Sequence, residues 1–366
     1  MTKSIWVGLD VHAESTTAAI LAGDSADAEI VTLPGDLNKV RRLFRRLAKK
    51  GTPRACYEAS GAGFVLQRAL TKEGFHCEVI APSLIPRMPG DHRKTDRRDA
   101  VMLAKLYRSG HLTAVNVPSE HHEALRRLLR LRTTYQGYCK MTKHRVTAIL
   151  RVQGLVYRDG KTYWTKTHRA WLARLRDELD GPLQTALAIE LEHLEYLETQ
   201  RGALDDELDR YARREPYRRQ VEALCCLRGI KVLTALALLC EIDDVRRFAS
   251  PAALMAYFGL VPSEHSSGPR ERRGPITKAG NSHARALLTE AAWNNRHRPA
   301  ATLLLQRRRQ GQPPAVVAIA VKAQHRLARK FRRLDARKHR HVAITAVARE
   351  LCGFVWAVLN AVPQSV

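Results

Sequence analysis

The chain has 366 residues, of which 45% are hydrophobic, so it is long enough for two or three domains and too apolar for a low-complexity disordered protein. Its 62 lysines and arginines against 36 aspartates and glutamates give a formal net charge of +26. This excess is larger than solubility requires and predicts a polyanionic partner, with nucleic acid as the first candidate.

The first predicted elements are two strands within SIWVGLDVHAESTTAAIL. Apolar residues alternate through Ile5, Val7 and Leu9 and return in TTAAIL, which predicts a hairpin with Asp10 near its turn. His12 lies two residues beyond Asp10 and so can project from the same face of the strand. For His12 we weigh a catalytic role against a solvent-facing or packing role.

A mixed α/β domain is predicted from the next elements. A basic amphipathic helix over DLNKVRRLFRRLAKK is followed by the strand RACYEAS, which carries Glu58, and by a helix that opens at GAGFVLQRAL. A further strand in HCEVIAPSLI leaves at Pro82. Strands that alternate with helices after an initial hairpin are typical of an α/β fold with a mixed sheet.

Two aspartates three residues apart begin the next helix, in KTDRRDAVMLAKL. Thr95 can cap a helix that begins at Asp96, and Asp96 and Asp99 then share one face of its first turn. With Asp10 and Glu58 they form a set of four carboxylates, the oxygen ligands that Mg²⁺ or Mn²⁺ prefers. The alternative is that Asp96 only caps the helix dipole and Asp99 pairs with Arg97 or Lys94.

The charge of the chain is segregated along its length. Residues 86–151 carry fifteen basic and five acidic side chains, residues 176–209 carry two basic and eleven acidic ones, and residues 268–340 carry nineteen basic and three acidic ones. The acidic segment also has leucines at helical spacing from Leu183 to Leu208, which predicts a long helix or coiled coil. We assign it to self-association or to spacing two domains, because phosphate would repel its acids.

A glycine- and proline-rich segment, LVPSEHSSGPRERRGPITKAGN, is predicted to form a loop or tight turns before the helix SHARALLTEAAW. Its cations are candidate nucleic-acid contacts, and they can stabilise a phosphorane-like transition state: Arg270, Arg272, Arg273 and Lys278. Ser266 and Ser267 lie among them as candidate nucleophiles, with His265 as a candidate base. The alternative is that serines beside glycine only form turns.

Aromatic and basic residues also cluster around Trp164. Tyr163, Trp164 and Trp171 alternate with Lys161, Lys166 and Arg169. Such a patch can stack on RNA bases, and ordinary helix packing explains the same residues as well.

No membrane segment is predicted. The N-terminal residues MTKSIWVGLD contain no apolar signal region, and the longest apolar run, VAITAVARELCGFVWAVLNAV, contains Arg349 and Glu350, so we expect an amphipathic or buried helix. Seven cysteines without a CxxC motif indicate reduced core thiols. We therefore expect a cytoplasmic protein.

Three motifs in order, VGLDVH, CYEASGAGF and KTDRRDAVMLA, resemble the DEDD-type transposases of the insertion sequence one-ten family, which are described as bridge-RNA-guided recombinases. The C-terminal segments CLRGIKVLTALALLCEI, RRFASPAALMAYFGLVPSEHSSG and GPITKAGNSHARALLTEAAW resemble the second domain of that family, so the resemblance covers nearly the whole chain. It implies that Asp10, Glu58, Asp96 and Asp99 are the metal-binding tetrad. It also implies that Ser267 is the nucleophile, although Ser266 is adjacent.

The resemblance implies an RNase H-like, RuvC-like catalytic domain over residues 1–150. A helical, coiled-coil linker and oligomerisation segment then covers residues 151–215, and a helical transposase domain with the serine loop covers residues 216–366. The expected activity is phosphodiester transesterification on donor and target double-stranded DNA with Mg²⁺ or Mn²⁺, through a covalent phosphoserine and with a structured guide RNA. A dimer or tetramer in the bacterial cytoplasm, associated with the nucleoid, is expected.

Two other functions are compatible with the residues alone. The first is a RuvC-like nuclease or Holliday-junction resolvase, in which metal-activated water cuts DNA and no serine intermediate forms. The second is an architectural nucleic-acid-binding protein whose acids are helix caps. A protein–DNA adduct that survives denaturation distinguishes the recombinase from both.

Overall fold

The computed structural model describes residues 3–86, 95–264 and 273–362, and the chain divides into two compact units. Unit 1 is Met1–Pro118 and unit 2 is Ser119–Val366. The predicted catalytic domain extends to residue 150, which lies within a helix of unit 2, Glu120–Val152. Unit 1 is therefore shorter than that predicted domain.

Unit 1 is a five-stranded mixed sheet with helices on both faces. Its elements are β1 (Ser4–Val11), β2 (Ser15–Ala22), β3 (Glu29–Pro34), α1 (Leu37–Ala48), β4 (Thr52–Glu58), α2 (Val65–Lys72), β5 (His76–Ile80) and α3 (Asp96–Arg108). The strand order is β3-β2-β1-β4-β5, and β1, β4 and β5 are parallel. The predicted hairpin and mixed sheet are confirmed, whereas edge strand β3 was not predicted.

One face of the sheet carries the main core of unit 1. Val7 and Leu9 of β1 and Tyr57 of β4 are fully buried there against Phe44 of α1 and Leu70 of α2. Because side chains alternate along a strand, the residues between them project to the opposite face, where α3 packs. Residues 8 and 10 of β1 therefore face α3.

Helix α3 packs closely against the sheet at Gly8. A Cβ atom at this position would lie 2.2 Å from the backbone oxygen of Ala100 and 2.4 Å from the backbone nitrogen of Ala104. Backbone atoms of a packed helix do not move aside as the end of a flexible side chain does. Only glycine therefore lets α3 lie this close to β1.

We expect Gly8→Ala to lower the free energy of unfolding of unit 1 by about 1–3 kcal/mol, because the added methyl group overpacks the contact with α3. Denaturant titration of the full chain measures the change. Gly61→Ala is the matched control, since a Cβ atom at Gly61 meets nothing within 4 Å. Equal stability of the two variants would contradict the prediction.

Unit 2 is predominantly helical. Its elements are α4 (Glu120–Val152), α5 (Lys166–Glu178), α6 (Gly181–Ala212), α7 (Arg218–Leu224), α8 (Val232–Ile242), α9 (Pro251–Tyr257), β6 (Pro262–Glu264), β7 (Arg273–Ile276), α10 (Ser282–Ala292), α11 (Leu303–Arg309), α12 (Pro314–Asp335) and α13 (Arg340–Ala361). The long helix predicted in the acidic segment is confirmed as α6. The glycine- and proline-rich segment contains a short antiparallel pair, β6 and β7, that was not predicted.

The acidic residues of α6 pair with basic residues of α4. Arg132 contacts Asp205 at 2.6 Å and Arg145 contacts Glu190 at 2.7 Å, so the two helices run antiparallel. Leucines of α6 are buried along the same helix, at Leu187, Leu194 and Leu208. Part of the acidic charge of α6 is thus neutralised by the basic charge of α4. The assignment of α6 to a coiled coil for self-association stays a prediction.

Glu198 of α6 joins three helices. It accepts hydrogen bonds from Lys143 of α4 at 2.7 Å and from Arg169 of α5 at 2.9 Å. Burial alone raises the pKa of Glu198, but the hydrogen bonds from Arg169 and Lys143 outweigh it and hold the pKa below its ordinary value. The ionised form is therefore the one that the folded state stabilises.

We expect Glu198→Gln to reduce stability at neutral pH and to have a smaller effect in acid. A carboxylate with a lowered pKa in the folded state stabilises the protein above its ordinary pKa, 4.5, and the stabilisation is lost as the pH falls through the lowered pKa. Unfolding curves of wild type and variant between pH 7 and pH 3 measure the difference. Glu195→Gln, at an exposed position of α6, is the control; a difference that does not depend on pH would contradict the assignment.

The aromatic patch packs around a buried histidine. His168 is 2% exposed and has ring contacts with Tyr157, Trp164 and Trp171. Trp164 and Trp171 also join the hydrophobic cluster between α4, α5 and α6. The packing interpretation therefore accounts for both tryptophans, while Tyr163 remains 49% exposed.

The apolar C-terminal run forms α13, which lies in the main core of unit 2 with Val347, Leu351 and Val355 fully buried. Among the described residues α13 is the helix long and apolar enough to span a membrane, but half of its most apolar window is buried inside the protein. The prediction of a buried helix is confirmed. All seven cysteines are buried and free, as predicted.

Candidate active site

Two predicted site residues lie at the carboxyl ends of neighbouring strands of the sheet. Asp10 is the penultimate residue of β1, and Glu58 is the last residue of β4. The two strands are parallel, and Leu9 of β1 pairs with Tyr57 of β4. Asp10 and Glu58 are the next residues of their strands and therefore lie side by side. Because Leu9 and Tyr57 point into the main core, the next residue of each strand projects toward the face covered by α3.

Helix α3 supplies the other two carboxylates. It begins at Asp96, and the Thr95 side chain caps it by accepting a hydrogen bond from the backbone N–H of Arg98, as predicted. Asp96 and Asp99 lie in the first turn: Asp96 comes about one turn before Ala100, whose backbone packs against Gly8, and Asp99 directly precedes Ala100. The close approach at Gly8 therefore brings the start of α3 to the end of β1.

Asp10, His12 and Asp96 converge at this edge. His12 Nε2 lies 3.3 Å from Asp10 Oδ2 and 3.8 Å from Asp96 Oδ1. One ligand atom from each of the three residues lies within 4.8 Å of the other two, and among the described residues this is the group with metal-ligand character. The side chain of Asp10 is 20% exposed, whereas those of His12 and Asp96 are 56% and 59% exposed. The cluster is anchored in the sheet and open to solvent.

The electrostatics of the cluster favour a bound cation. Burial raises the pKa of Asp10, and the nearby carboxylates of Asp96 and Asp99 raise it further, while His12 opposes them. Asp99 thus acts on Asp10 electrostatically, although it is not one of the three converging ligands. Negative charges held together in a partly buried site cost free energy that a divalent cation offsets.

A cavity of about 520 Å³ opens beside the cluster within unit 1. Its lining includes His12 after β1, Gly35 and Asp36 before α1, and Ser60 and Gly61 after β4. The cavity therefore lies at the carboxyl ends of β1 and β4, where open α/β sheets bind their ligands.

His12, like Asp96, is a member of this cluster for which the sequence leaves both a functional and a structural role open. The backbone N–H of His12 donates to the oxygen of Ser15, which tightens the turn between β1 and β2. The i, i+2 spacing from Asp10 is the sequence signal that places it on the same face. Its proximity to Asp96 required the position of α3, which no local pattern gives.

The predicted residues of the serine loop are described only in part. Ser266, Ser267, His265, Arg270 and Arg272 lie outside the described residues. Arg273 begins β7, where its backbone pairs with Glu264. Lys278 is exposed in the turn after β7, has a positive φ of 55°, and donates its backbone N–H to the oxygen of Gly259. The base of the loop is thus closed by backbone hydrogen bonds.

Helix α12 presents a basic face that the predicted contacts did not include. Exposed residues recur at three- and four-residue spacing along it, which places them on one side of the helix: Lys322, His325, Arg329, Arg332 and Arg333. We call this set the basic face of α12. The basic face of α12 could have been predicted from the helical spacing of basic residues within the segment 268–340.

Carboxylates gathered at the carboxyl edge of an α/β sheet, in a strongly basic chain, are typical of metal-dependent enzymes that act on nucleic acid. Two family models match the chain. The DEDD transposase model of the IS110 type matches residues 7–153, and the model of the transposase IS116/IS110/IS902 family matches residues 221–305. The first match contains all four predicted carboxylates, and the second contains the serine loop.

The similar proteins are transposases. A putative transposase y4qE of Sinorhizobium fredii is 38% identical over 99% of this chain and 90% of its own length. The transposase for insertion sequence element IS1533 of Leptospira borgpetersenii is 31% identical over 92% of this chain and 99% of its own length. The chain therefore belongs to the IS110 family of insertion-sequence transposases.

Membership of this family defines the class of activity. A transposase binds DNA, and it cleaves and recombines it. The DEDD family suggests use of a divalent metal, for which Asp10, His12 and Asp96 form a candidate cluster.

Proposed function

We propose that this transposase cuts and rejoins DNA through a covalent phosphoserine at Ser267, with a divalent metal held by Asp10, Glu58, Asp96 and Asp99. A structured RNA guides it to donor and target DNA. The observation that carries the proposal is the convergence of Asp10 with the first turn of α3 at the carboxyl end of β1. The same arrangement supports assignment of unit 1 to the RNase H-like, RuvC-like fold.

The donor set fits a hard cation. Asp10, Glu58, Asp96 and Asp99 offer carboxylate oxygens, which suit Mg²⁺ and Mn²⁺ as ligands. When bound, the metal supplies Lewis-acid stabilisation of charge on the scissile phosphate. These four residues belong to β1, β4 and the capped first turn of α3, and the convergence of Asp10 with Asp96 supports the proposed site.

The proposed chemistry is a transesterification that conserves the number of phosphodiester bonds. The Ser267 oxygen attacks the scissile phosphorus and loses its proton, a new serine O–P bond forms, and the P–O bond to the leaving strand breaks. The leaving oxygen takes up a proton and becomes a free hydroxyl. Rejoining reverses these changes with a hydroxyl of the new partner strand, so strand exchange needs no nucleotide hydrolysis. Arg270, Arg272, Arg273 and Lys278 are proposed to bind the phosphates.

The nucleic-acid partners are proposed from charge. The net charge of +26 and the basic face of α12 support binding of phosphate backbones. The proposed phosphate-bearing partners are double-stranded DNA, as donor and target, and a guide RNA. Binding weakens steeply as salt rises if these contacts carry the affinity.

A homo-oligomer, a dimer or tetramer, is proposed from the helical pair α4 and α6. Large apolar residues are exposed along it, including Leu131 at 45%, Tyr138 at 47%, Met141 at 55%, Ile189 at 59% and Tyr196 at 57%. Such residues favour an association surface where they form a contiguous patch. Assembly of subunits also allows a serine and a tetrad of different subunits to act together.

We expect a protein–DNA adduct that resists denaturation when the full-length protein, Mg²⁺, guide RNA from the end of the element and labelled junction DNA are incubated together. Ser267→Ala is expected to abolish the adduct, because the nucleophilic oxygen is removed. Denaturing gel electrophoresis followed by mass spectrometry of the adducted peptide locates the modified serine. Ser266→Ala is the matched control and is expected to retain the adduct.

The outcomes separate the proposal from its alternatives. Nicked DNA without an adduct, formed equally by Ser267→Ala, would favour a RuvC-like nuclease that uses water. An adduct that is lost only in Ser266→Ala would move the nucleophile by one residue. Binding without any metal-dependent strand breakage would favour an architectural protein.

A further inference from the structure

We propose that His12 is a nitrogen ligand of the metal at the candidate active site, so that the site is a mixed nitrogen and oxygen site that binds Mn²⁺ more tightly than an all-carboxylate site does. The inference rests on the proposed metal site and adds a ligand to it. The predicted tetrad contains oxygen donors alone.

The imidazole of His12 lies at a suitable distance from two carboxylates to share a metal ion with them. Ligands on one Mn²⁺ or Mg²⁺ ion lie about 2.0–2.2 Å from it, so neighbouring ligands are about 3 Å apart and opposite ones about 4.4 Å. His12 Nε2 lies 3.3 Å from Asp10 Oδ2 and 3.8 Å from Asp96 Oδ1, which falls between these limits. The three atoms need little movement to share one ion.

The backbone of His12 is held in the turn between β1 and β2. Asp10 and His12 are two residues apart, and the N–H of His12 donates to the Ser15 oxygen at 2.9 Å in the turn to β2. The turn holds the imidazole on the side of the sheet where α3 begins, instead of letting it follow the chain away. The imidazole thus lies near carboxylates from two separate elements, β1 and α3.

The imidazole of His12 offers a nitrogen donor, which different divalent cations accept to different degrees. Imidazole suits transition metals, whereas Mg²⁺ strongly prefers oxygen and retains several waters. A single nitrogen donor beside carboxylates therefore favours Mn²⁺ over Mg²⁺ and also admits Zn²⁺. The alternative is that His12 only balances the charge of Asp10 and Asp96, in which case it acts on all divalent cations alike and forms no bond to the metal.

The test measures metal binding by the full-length protein without DNA. Mn²⁺ titration followed by electron paramagnetic resonance counts bound and free ions, and pulsed measurements detect hyperfine coupling to a directly bound nitrogen. We expect wild type to show the nitrogen coupling and His12→Ala to lose it. We also expect His12→Ala to bind Mn²⁺ at least about tenfold more weakly, because even loss of a group that only orients a ligand costs about ten- to a hundredfold in metal affinity. Mg²⁺ affinity, measured by competition, should change much less.

His111→Ala is the matched control, because His111 is an exposed histidine of unit 1 that contacts Ser109. Nitrogen coupling that persists in His12→Ala, or equal weakening of Mg²⁺ and Mn²⁺ binding, would overturn the proposal while leaving the carboxylate site intact. Failure of the proposed metal site itself has a different signature, since wild type and Asp10→Asn would then bind Mn²⁺ equally.

Discussion

Asp10→Asn is expected to reduce DNA strand cleavage by at least about a thousandfold, because the proposed metal site loses a carboxylate and with it several kcal/mol of transition-state stabilisation. Asp10 is the least exposed member of the cluster and the one that the other acids act on. Its replacement changes charge and keeps shape, so the position of α3 is retained. Cleavage and adduct formation by the full-length protein with Mg²⁺ measure the effect.

The same variant is expected to be as stable as wild type or slightly more stable at pH 7. Burial and the nearby Asp96 and Asp99 raise the pKa of Asp10 in the folded protein above 3.8. A carboxyl group with a raised pKa stabilises the fold in its protonated form, and this contribution is lost as the pH rises through the raised pKa. Asparagine mimics the protonated form at all pH values and removes the cost of the charge.

Asp24→Asn is the matched control for both measurements. Asp24 is exposed and follows β2. Strand β2 ends where Ala22 pairs with Ile5, near the start of β1, so Asp24 lies at the opposite end of the strands from Asp10. It is expected to change neither cleavage nor stability by a measurable amount. Wild-type cleavage by Asp10→Asn would remove Asp10 from the active site, and a marked loss of stability would give it a structural role instead.

Glu241→Ala is expected to lower the free energy of unfolding of unit 2 by about 3–5 kcal/mol, the usual cost of removing one partner of a buried ion pair. Glu241 is 3% exposed in the apolar helix α8. Arg130 contacts it at 3.3 Å and Arg126 at 3.9 Å, both from α4, and Asn281 donates to it at 2.6 Å. Truncation leaves two guanidinium groups and an amide without their shared acceptor.

The destabilisation caused by Glu241→Ala is also expected to affect the end of the serine loop segment, where α10 begins. Asn281 caps α10 by accepting a hydrogen bond from the N–H of Ala284, and its own N–H donates to the oxygen of Tyr257. Glu241 therefore ties the point where the chain enters α10 to α4 and α8. Helix α10 is expected to lose order first, which hydrogen exchange of residues 282–292 measures.

Two variants test whether the charge of Glu241 is the cause. Glu241→Gln keeps the shape and one acceptor, so its effect should lie between wild type and Glu241→Ala. Glu290→Ala removes an exposed glutamate from α10 and should cost no more than about 0.5 kcal/mol. Equal unfolding curves for Glu241→Ala and Glu290→Ala would show that the buried contacts contribute little.

Most of the elements that carry the site follow from local patterns. Alternation of apolar residues predicts β1 and β2, a threonine before an acidic first turn predicts the start of α3 at Asp96, and leucine spacing predicts α6. The edge strand β3 and the short pair β6 and β7 escaped prediction, because strands of three to six half-buried residues carry little periodic signal.

The sequence by itself determined the α/β character of unit 1, the helical character of the remainder, and the four carboxylates that the family motifs mark. Tertiary structure decided which of them meet: α3 reaches Asp10 because Gly8 lets its backbone approach β1. It also decided that His12 joins the cluster, that the acids of α6 pair with α4, and that Glu241 is buried with partners more than thirty residues away. Spacing and capping are local and can be read along the chain, whereas these contacts join segments far apart in sequence and depend on how whole helices pack.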